Sequence, residues 1–156
     1  MGIATSQSRT IPTFTVPSEQ VAVPFIFTDT GAWYAYVDST DAHHSAAIEF
    51  VRTLTRPLAT STYILDEVVT LIQAHLGHSA AVRFGEKLRQ EQIAKLLRIT
   101  EQDEHRAWEL FVRYQDKAFS FTDCTSFALM ERLHIDTAFA FDDHFRQYGK
   151  ALVVPL

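Results

Sequence analysis

From residue 25 to the C-terminus, short apolar runs alternate with stretches of helical period, and this alternation constrains the fold more than any other feature of the chain. The runs at 25–28, 58–60, 93–99, 137–141 and 151–154 read as strands. Helices are expected at 32–37, 42–55, 63–76, 79–91, 101–114 and 122–133. Asp41 is placed to cap the second of these, and Ala46, Ala47, Phe50, Val51 and Leu54 recur along it at helical spacing. In the third, Ile64, Leu65, Val68, Leu71 and Ile72 form one wide apolar face behind a Ser61 or Thr62 cap, and Gly77 ends it. Thr100 with Asp103 has the spacing of a capping box. Parallel strands need long crossovers, which helices supply. The expected class is therefore α/β, with a mainly parallel central sheet covered on both faces. Residues 1–24 are rich in Ser, Thr, Gln and Pro and follow neither period, so they read as a tail or arm outside a domain at 25–156.

Composition narrows the class of function. With 156 residues and 47% apolar content, the chain is expected to fold as one globular domain. Its single cysteine forms no internal disulfide, and no apolar run reaches the ~20 residues of a membrane span, so a cytoplasmic protein is expected. A net charge of −5 argues against broad electrostatic binding to nucleic acid. Any polyanionic substrate must then be held locally.

Acidic residues fall at matched places in this layout. Asp29 follows the first strand and Asp142 a later one, while Asp123 and Glu67 stand in the first turns of two helices. In a parallel α/β sheet, strand C-termini and helix N-termini share one edge, so all four can meet there. Each has an ordinary alternative. An Asp after a strand caps turns, Asp123 suits a helix dipole, and the pairs Asp66/Glu67 and Asp142/Asp143 leave open which member faces inward. Four carboxylates within ~5 Å of one another would repel by several kcal/mol at intermediate dielectric. A hard divalent cation relieves that repulsion, and Mg²⁺ or Mn²⁺ suits an all-oxygen site better than Zn²⁺.

Four segments carry a family resemblance. Phe27-Thr28-Asp29-Thr30-Gly31-Ala32-Trp33, Ser61-Thr62-Tyr63-Ile64-Leu65-Asp66-Glu67, Ser120-Phe121-Thr122-Asp123-Cys124-Thr125-Ser126 and Phe139-Ala140-Phe141-Asp142-Asp143-His144-Phe145 resemble, in this order, the motifs of PIN domains, most closely those of VapC-type toxin ribonucleases. The resemblance implies a three-layer α/β/α sandwich and a Mg²⁺- or Mn²⁺-dependent endoribonuclease. It also implies an RNA substrate, a cognate antitoxin and a homodimer. Asp29, Glu67, Asp123 and Asp142 match the family's catalytic and metal-binding positions, with Asp143 secondary. The arm before residue 25 departs from the compact start of many members. Two other readings are an RNA-processing nuclease that is not a toxin and a non-catalytic module that binds RNA or protein.

Other features have simpler explanations. His43, His44, His75, His78 and His144 lack the spacing of a zinc site and read as surface residues. Asp29-Thr30-Gly31 matches the aspartic-protease triplet, but that chemistry pairs two such loops in β-rich folds. Thr30, Thr122 and Ser126 read as helix caps. Trp33, Tyr34 and Tyr36 read as packing residues rather than base-stacking ones. Arg52, Arg113, Lys117 and Arg146 are candidates for phosphate contact.

Overall fold

A computed structural model describes residues 24–156; the expected N-terminal arm lies, apart from Pro24, outside the described residues. The described chain runs β1 (Ile26–Thr28), α1 (Thr30–Val37), α2 (His44–Arg52), β2 (Leu58–Ser61), α3 (Thr62–Leu76), α4 (His78–Arg89), β3 (Lys95–Leu97), α5 (Glu101–Arg113), α6 (Phe121–Leu133), β4 (Thr137–Phe139), α7 (His144–Tyr148) and β5 (Leu152–Val154). The five strands form one sheet in the order β3-β2-β1-β4-β5. Every pairing is parallel, with Phe27 opposite Ala59 on one side and Ala138 on the other.

This order positions the site. The chain leaves β1, moves outward through β2 to β3, then returns to lay β4 against the other side of β1. Right-handed crossovers put α1 to α4 on one face and α5 to α7 on the other. Contacts between side chains agree: Trp33 of α1 meets Phe84 of α4, while Phe127 of α6 stacks on Tyr148 of α7, centroids 4.2 Å apart. The strand order reverses between β1 and β4, and in such sheets the crevice opens at the strand C-termini of that reversal. Asp29 and Asp142 follow those two strands.

Burial in both layers holds the sheet. Phe27, Ala59, Ala138 and Phe139 are wholly enclosed, with Trp33, Ile64, Val68, Ile72 and Leu88 among the residues of one helical layer and Leu110, Phe127, Leu129 and Phe145 among those of the other. Each large side chain so buried stabilises by about 1.5–3 kcal/mol. Beneath the site, the Trp33 indole N–H donates to Thr60 Oγ1 at 3.2 Å, and that hydroxyl donates to the Thr28 carbonyl at 2.9 Å. This chain of bonds fixes α1 to the ends of β1 and β2.

Local differences from the sequence reading have physical causes. Asp41 does not cap α2; its Oδ1 accepts from the His43 N–H in a turn before the helix, which starts at His44. α6 begins at Phe121 rather than Thr122 because Ser120 is its cap. Thr122 and Ser126 do not cap: the Thr122 carbonyl accepts from the Ser126 hydroxyl at 3.1 Å. β4 ends at Phe139, two residues early, and five-residue α7 follows Asp142 and Asp143, too short to show a period. Its signals were local: the Asp142 carboxylate accepts from the His144 N–H, and Gly149 closes the helix at φ 78°.

Candidate active site

Asp29 stands at the N-cap position of α1, where its side chain makes no capping hydrogen bond, and is 3% exposed. Its backbone N–H donates to the Phe139 carbonyl at 3.0 Å, which ties the end of β1 to the end of β4. Burial pushes the Asp29 carboxyl well above the ordinary carboxylate range; Asp142 and Asp123 push it further, the Thr30 N–H opposes them, and Glu67 adds to the rise. The structure thus brings all four expected carboxylates into one electrostatic neighbourhood. Among the described residues, no three such groups already form a coordination shell.

Asp123 is held by a capping box: the Ser120 N–H donates to its Oδ2 at 2.8 Å, and its own N–H donates to Ser120 Oγ at 3.0 Å. Burial raises its carboxyl, and Asp142 adds to that rise; the Ser120 N–H and His144 partly offset it, and the net shift is upward. Glu67 is half-buried while Asp66 is exposed, which identifies the inward member of that pair. Asp142 is exposed at the rim. Asp143 is turned to solvent, 75% exposed, with Arg146 at 3.5 Å.

His144 was read from the sequence as a surface residue, and the structure corrects this. Its Nδ1 lies 2.7 Å from Asp123 Oδ2 and 3.8 Å from Asp142 Oδ2, off the line of a hydrogen bond. Phe119 packs against its ring edge-on at 5.8 Å. The only available signal was its position directly after Asp142-Asp143. Of the other histidines singled out from the sequence, His43 stacks on Phe141, and His44 bonds the Ala35 carbonyl. Arg98, also not singled out from the sequence, is exposed just past β3 on the same edge of the sheet.

The donor chemistry fits a hard divalent cation. The donors are carboxylate oxygens, and burial and mutual repulsion disfavour ionisation of Asp29 unless positive charge compensates. Two buried hydroxyls at the same edge, Thr28 Oγ1 and Thr30 Oγ1, have no hydrogen-bond partner among the described residues.

A parallel five-stranded α/β/α sandwich with carboxylates converging where its strand order reverses is the architecture of a nuclease-like domain. The PIN domain family profile matches residues 26–151, and the chain belongs to that family. It is 35% identical over 130 residues to the 23S rRNA-specific endonuclease VapC20 of Mycobacterium tuberculosis, covering 83% of this chain and 98% of that one. The crystal structure of VapC20, described as a sarcin-ricin loop cleaving toxin, superposes with a TM-score of 0.78 over 83% of this chain and 99% of that one. VapBC2 of Rickettsia felis bound to a DNA fragment from its promoter (TM-score 0.60, 9% identity, 83% and 97% covered) and FitAcB of Neisseria gonorrhoeae (0.59, 14%, 83% and 96%) share the fold alone.

Proposed function

We propose that this protein is a Mg²⁺- or Mn²⁺-dependent endoribonuclease that hydrolyses RNA phosphodiester bonds, and that it acts as the toxin of a toxin–antitoxin pair. The observation that carries the reading is Asp29: a buried carboxylate facing three others, in a chain 35% identical to an RNA endonuclease toxin. A non-catalytic module has no use for such repulsion. The non-toxin alternative would be an RNA-processing nuclease with the same site.

In this reading Asp29 and Asp123 hold the cation, supported by their burial at the ends of β1 and the start of α6. Glu67 and Asp142 orient the attacking water and share the charge, with Asp143 outside the innermost set because of its exposure. A bound Mg²⁺ or Mn²⁺ supplies Lewis-acid polarisation of a phosphate oxygen and acidifies the water that attacks. Ser120 holds the Asp123 carboxylate in one orientation through its N–H. Among the described residues no helix is long and apolar enough to cross a membrane, in keeping with a cytoplasmic site of action. The cleft of about 370 Å³ between α3 and α4, lined by Leu65, Val69, Ala81 and Val82, is the face proposed for the antitoxin or a second subunit. The test is cleavage of ribosomal RNA and of single-stranded RNA with Mn²⁺. Loss of cleavage with chelator and in Asp29→Asn supports the reading; cleavage that persists in both contradicts it.

A further inference from the structure

The N-terminal arm enters the domain beside an open apolar groove. Arg56 fixes the entry point: its Nε donates to the Pro24 carbonyl at 2.9 Å and its Nη2 to the Phe25 carbonyl at 3.1 Å. Thr137 and Asp136 accept from the same guanidinium at 3.1 and 3.2 Å. The Ile26 N–H then donates to the Pro57 carbonyl at 2.9 Å, and β1 begins. At this point Phe25, Leu54, Pro57, Leu58, Ile93 and Ala94 line a groove of about 480 Å³. It runs under the starts of β1, β2 and β3, at the end of the sheet opposite the carboxylates. Phe25, Leu54 and Ile93 are only half-buried there, and Pro57 is exposed.

The arm carries side chains that match this groove. Val16 and Val23 each precede a proline, which biases both towards extended backbone. In an extended chain Val21 and Val23 share a face, as do Phe14 and Val16. Three extended residues span about 10 Å, the same as two inter-strand spacings of about 4.8 Å. Residues 21–23 are therefore long enough to cross from β1 under β2 to β3. Glu19, the arm's one acidic residue, follows just beyond. Ile93 also borders a second cleft, of about 460 Å³, where Arg83 and Lys87 stand against a single acid, Glu86. Apolar and charged positions of the arm thus fall in the order in which the two clefts present their partners.

Other occupants fit less well. An added strand at the β3 edge would compete with Glu91, whose Oε1 already accepts from the Leu96 N–H at 3.1 Å. A second copy would find four part-exposed apolar side chains, against the roughly 20–30 residues a stable interface takes from each side. The arm, tethered at Pro24, meets the groove at a roughly millimolar effective concentration. The family profile starts at residue 26, so the arm lies outside the matched stretch.

We propose that residues 14–23 pack along this groove, with Val21 and Val23 against Leu54, Leu58 and Ile93 and with Glu19 facing Arg83 and Lys87. The arm then closes the strand N-termini and is held at the end of the sheet away from the carboxylates.

The experiment uses the full chain. In Val21→Cys/Lys95→Cys, mild oxidation should form an intramolecular disulfide, since the proposal brings the two Cα atoms within about 7 Å. The native Cys124 is buried and does not compete. The bond should form about tenfold or more faster than in Val21→Cys/Arg98→Cys, whose second position is at the other end of β3. A Glu-specific protease then reads the unlinked arm, because cleavage tracks the population of the undocked form. Lys87→Glu and Ile93→Ser should each release residues 1–19 several-fold faster than wild type. Where Ile93→Ser also lowers the melting temperature, the exposed Lys87→Glu decides. Equal disulfide rates at positions 95 and 98, disulfide-linked dimers in place of the internal bond, or wild-type release in Lys87→Glu would each overturn the proposal. None of these substitutions touches the carboxylates, so the nuclease reading stands or falls separately.

Discussion

Two aspartates in this protein occupy the same local structure and meet opposite electrostatic surroundings. Asp103 and Asp123 are each the third residue of a helix, each closes a capping box with a Thr or Ser three residues earlier, and both are buried. Across from Asp103 stands Arg132, which donates from Nε at 2.7 Å and from Nη2 at 2.8 Å. Burial alone would raise the Asp103 carboxyl, but the guanidinium and the Thr100 N–H outweigh it and hold it below the ordinary range. Across from Asp123 stand Asp142 and a histidine, and its carboxyl is raised. The cap orients the carboxylate in both cases. The group opposite decides whether it stabilises the fold or leaves charge for a ligand to compensate.

The same division extends over the molecule. Glu131, on α6, binds Arg106 at 3.0 Å, Lys150 at 2.9 Å and the Tyr148 hydroxyl. Burial opposes its ionisation, but these three donors bring its carboxyl down to about 2. The Asp103 and Glu131 ion pairs join α5, α6 and the approach to β5, and the Tyr148 hydroxyl adds α7, while among the described residues no Lys or Arg pairs with Asp29 or Asp123. A site of raised carboxylates lowers the stability of the cation-free protein at neutral pH.

Parallel substitutions break this comparison most sharply. Asp123→Asn should lower RNA cleavage by about 100-fold or more, the scale of losing one preorganised electrostatic group, and leave the melting temperature unchanged or raised. Mn²⁺ at a hundredfold excess over its Kd should stabilise the wild-type chain by about 2.7 kcal/mol, read by thermal melting. That gain should shrink sharply in Asp29→Asn and persist in Asp103→Asn. Asp103→Asn should cost about 2 kcal/mol in denaturant unfolding, because a partly buried guanidinium loses its charged partner, with cleavage retained.

Acid titration sharpens the structural half. A carboxyl lowered on folding contributes stability that is complete above its unfolded value and lost as pH falls through its folded one. For Glu131 that window runs from 4.5 down to about 2. Wild-type stability should fall across it, and Glu131→Gln should show a flatter profile from a lower plateau. The smallest effect is expected of Asp143→Asn: exposed and paired only with Arg146, it should shift stability by less than about 0.5 kcal/mol.

Asp103 and Asp123 also mark how far the sequence could be read. The Thr100/Asp103 box was legible, as were the α/β class, the helix faces and the places of the acidic residues after strands and near helix starts, because each depends on spacing within about four residues; the Ser120/Asp123 box was missed because Thr122 read as the cap of α6. Which box faced a guanidinium was not legible, since Arg132 lies 29 residues from Asp103. His144 and α7 escaped notice for a related reason: five residues are too few for a period, and the contact with Asp123 exists only after β4 returns to β1. Trp33 packs in the core as read from the sequence, whereas the exposed Trp108 ring and the half-buried Phe121 ring meet only through the packing of α5 on α6.

Anomalous scattering from a crystal soaked in Mn²⁺ tests the account most directly. A peak within coordination distance of Asp29 and Asp123, beside Asp142, is the predicted result. A peak bound elsewhere with that pocket empty, or none at saturating Mn²⁺ that supports cleavage, would contradict it.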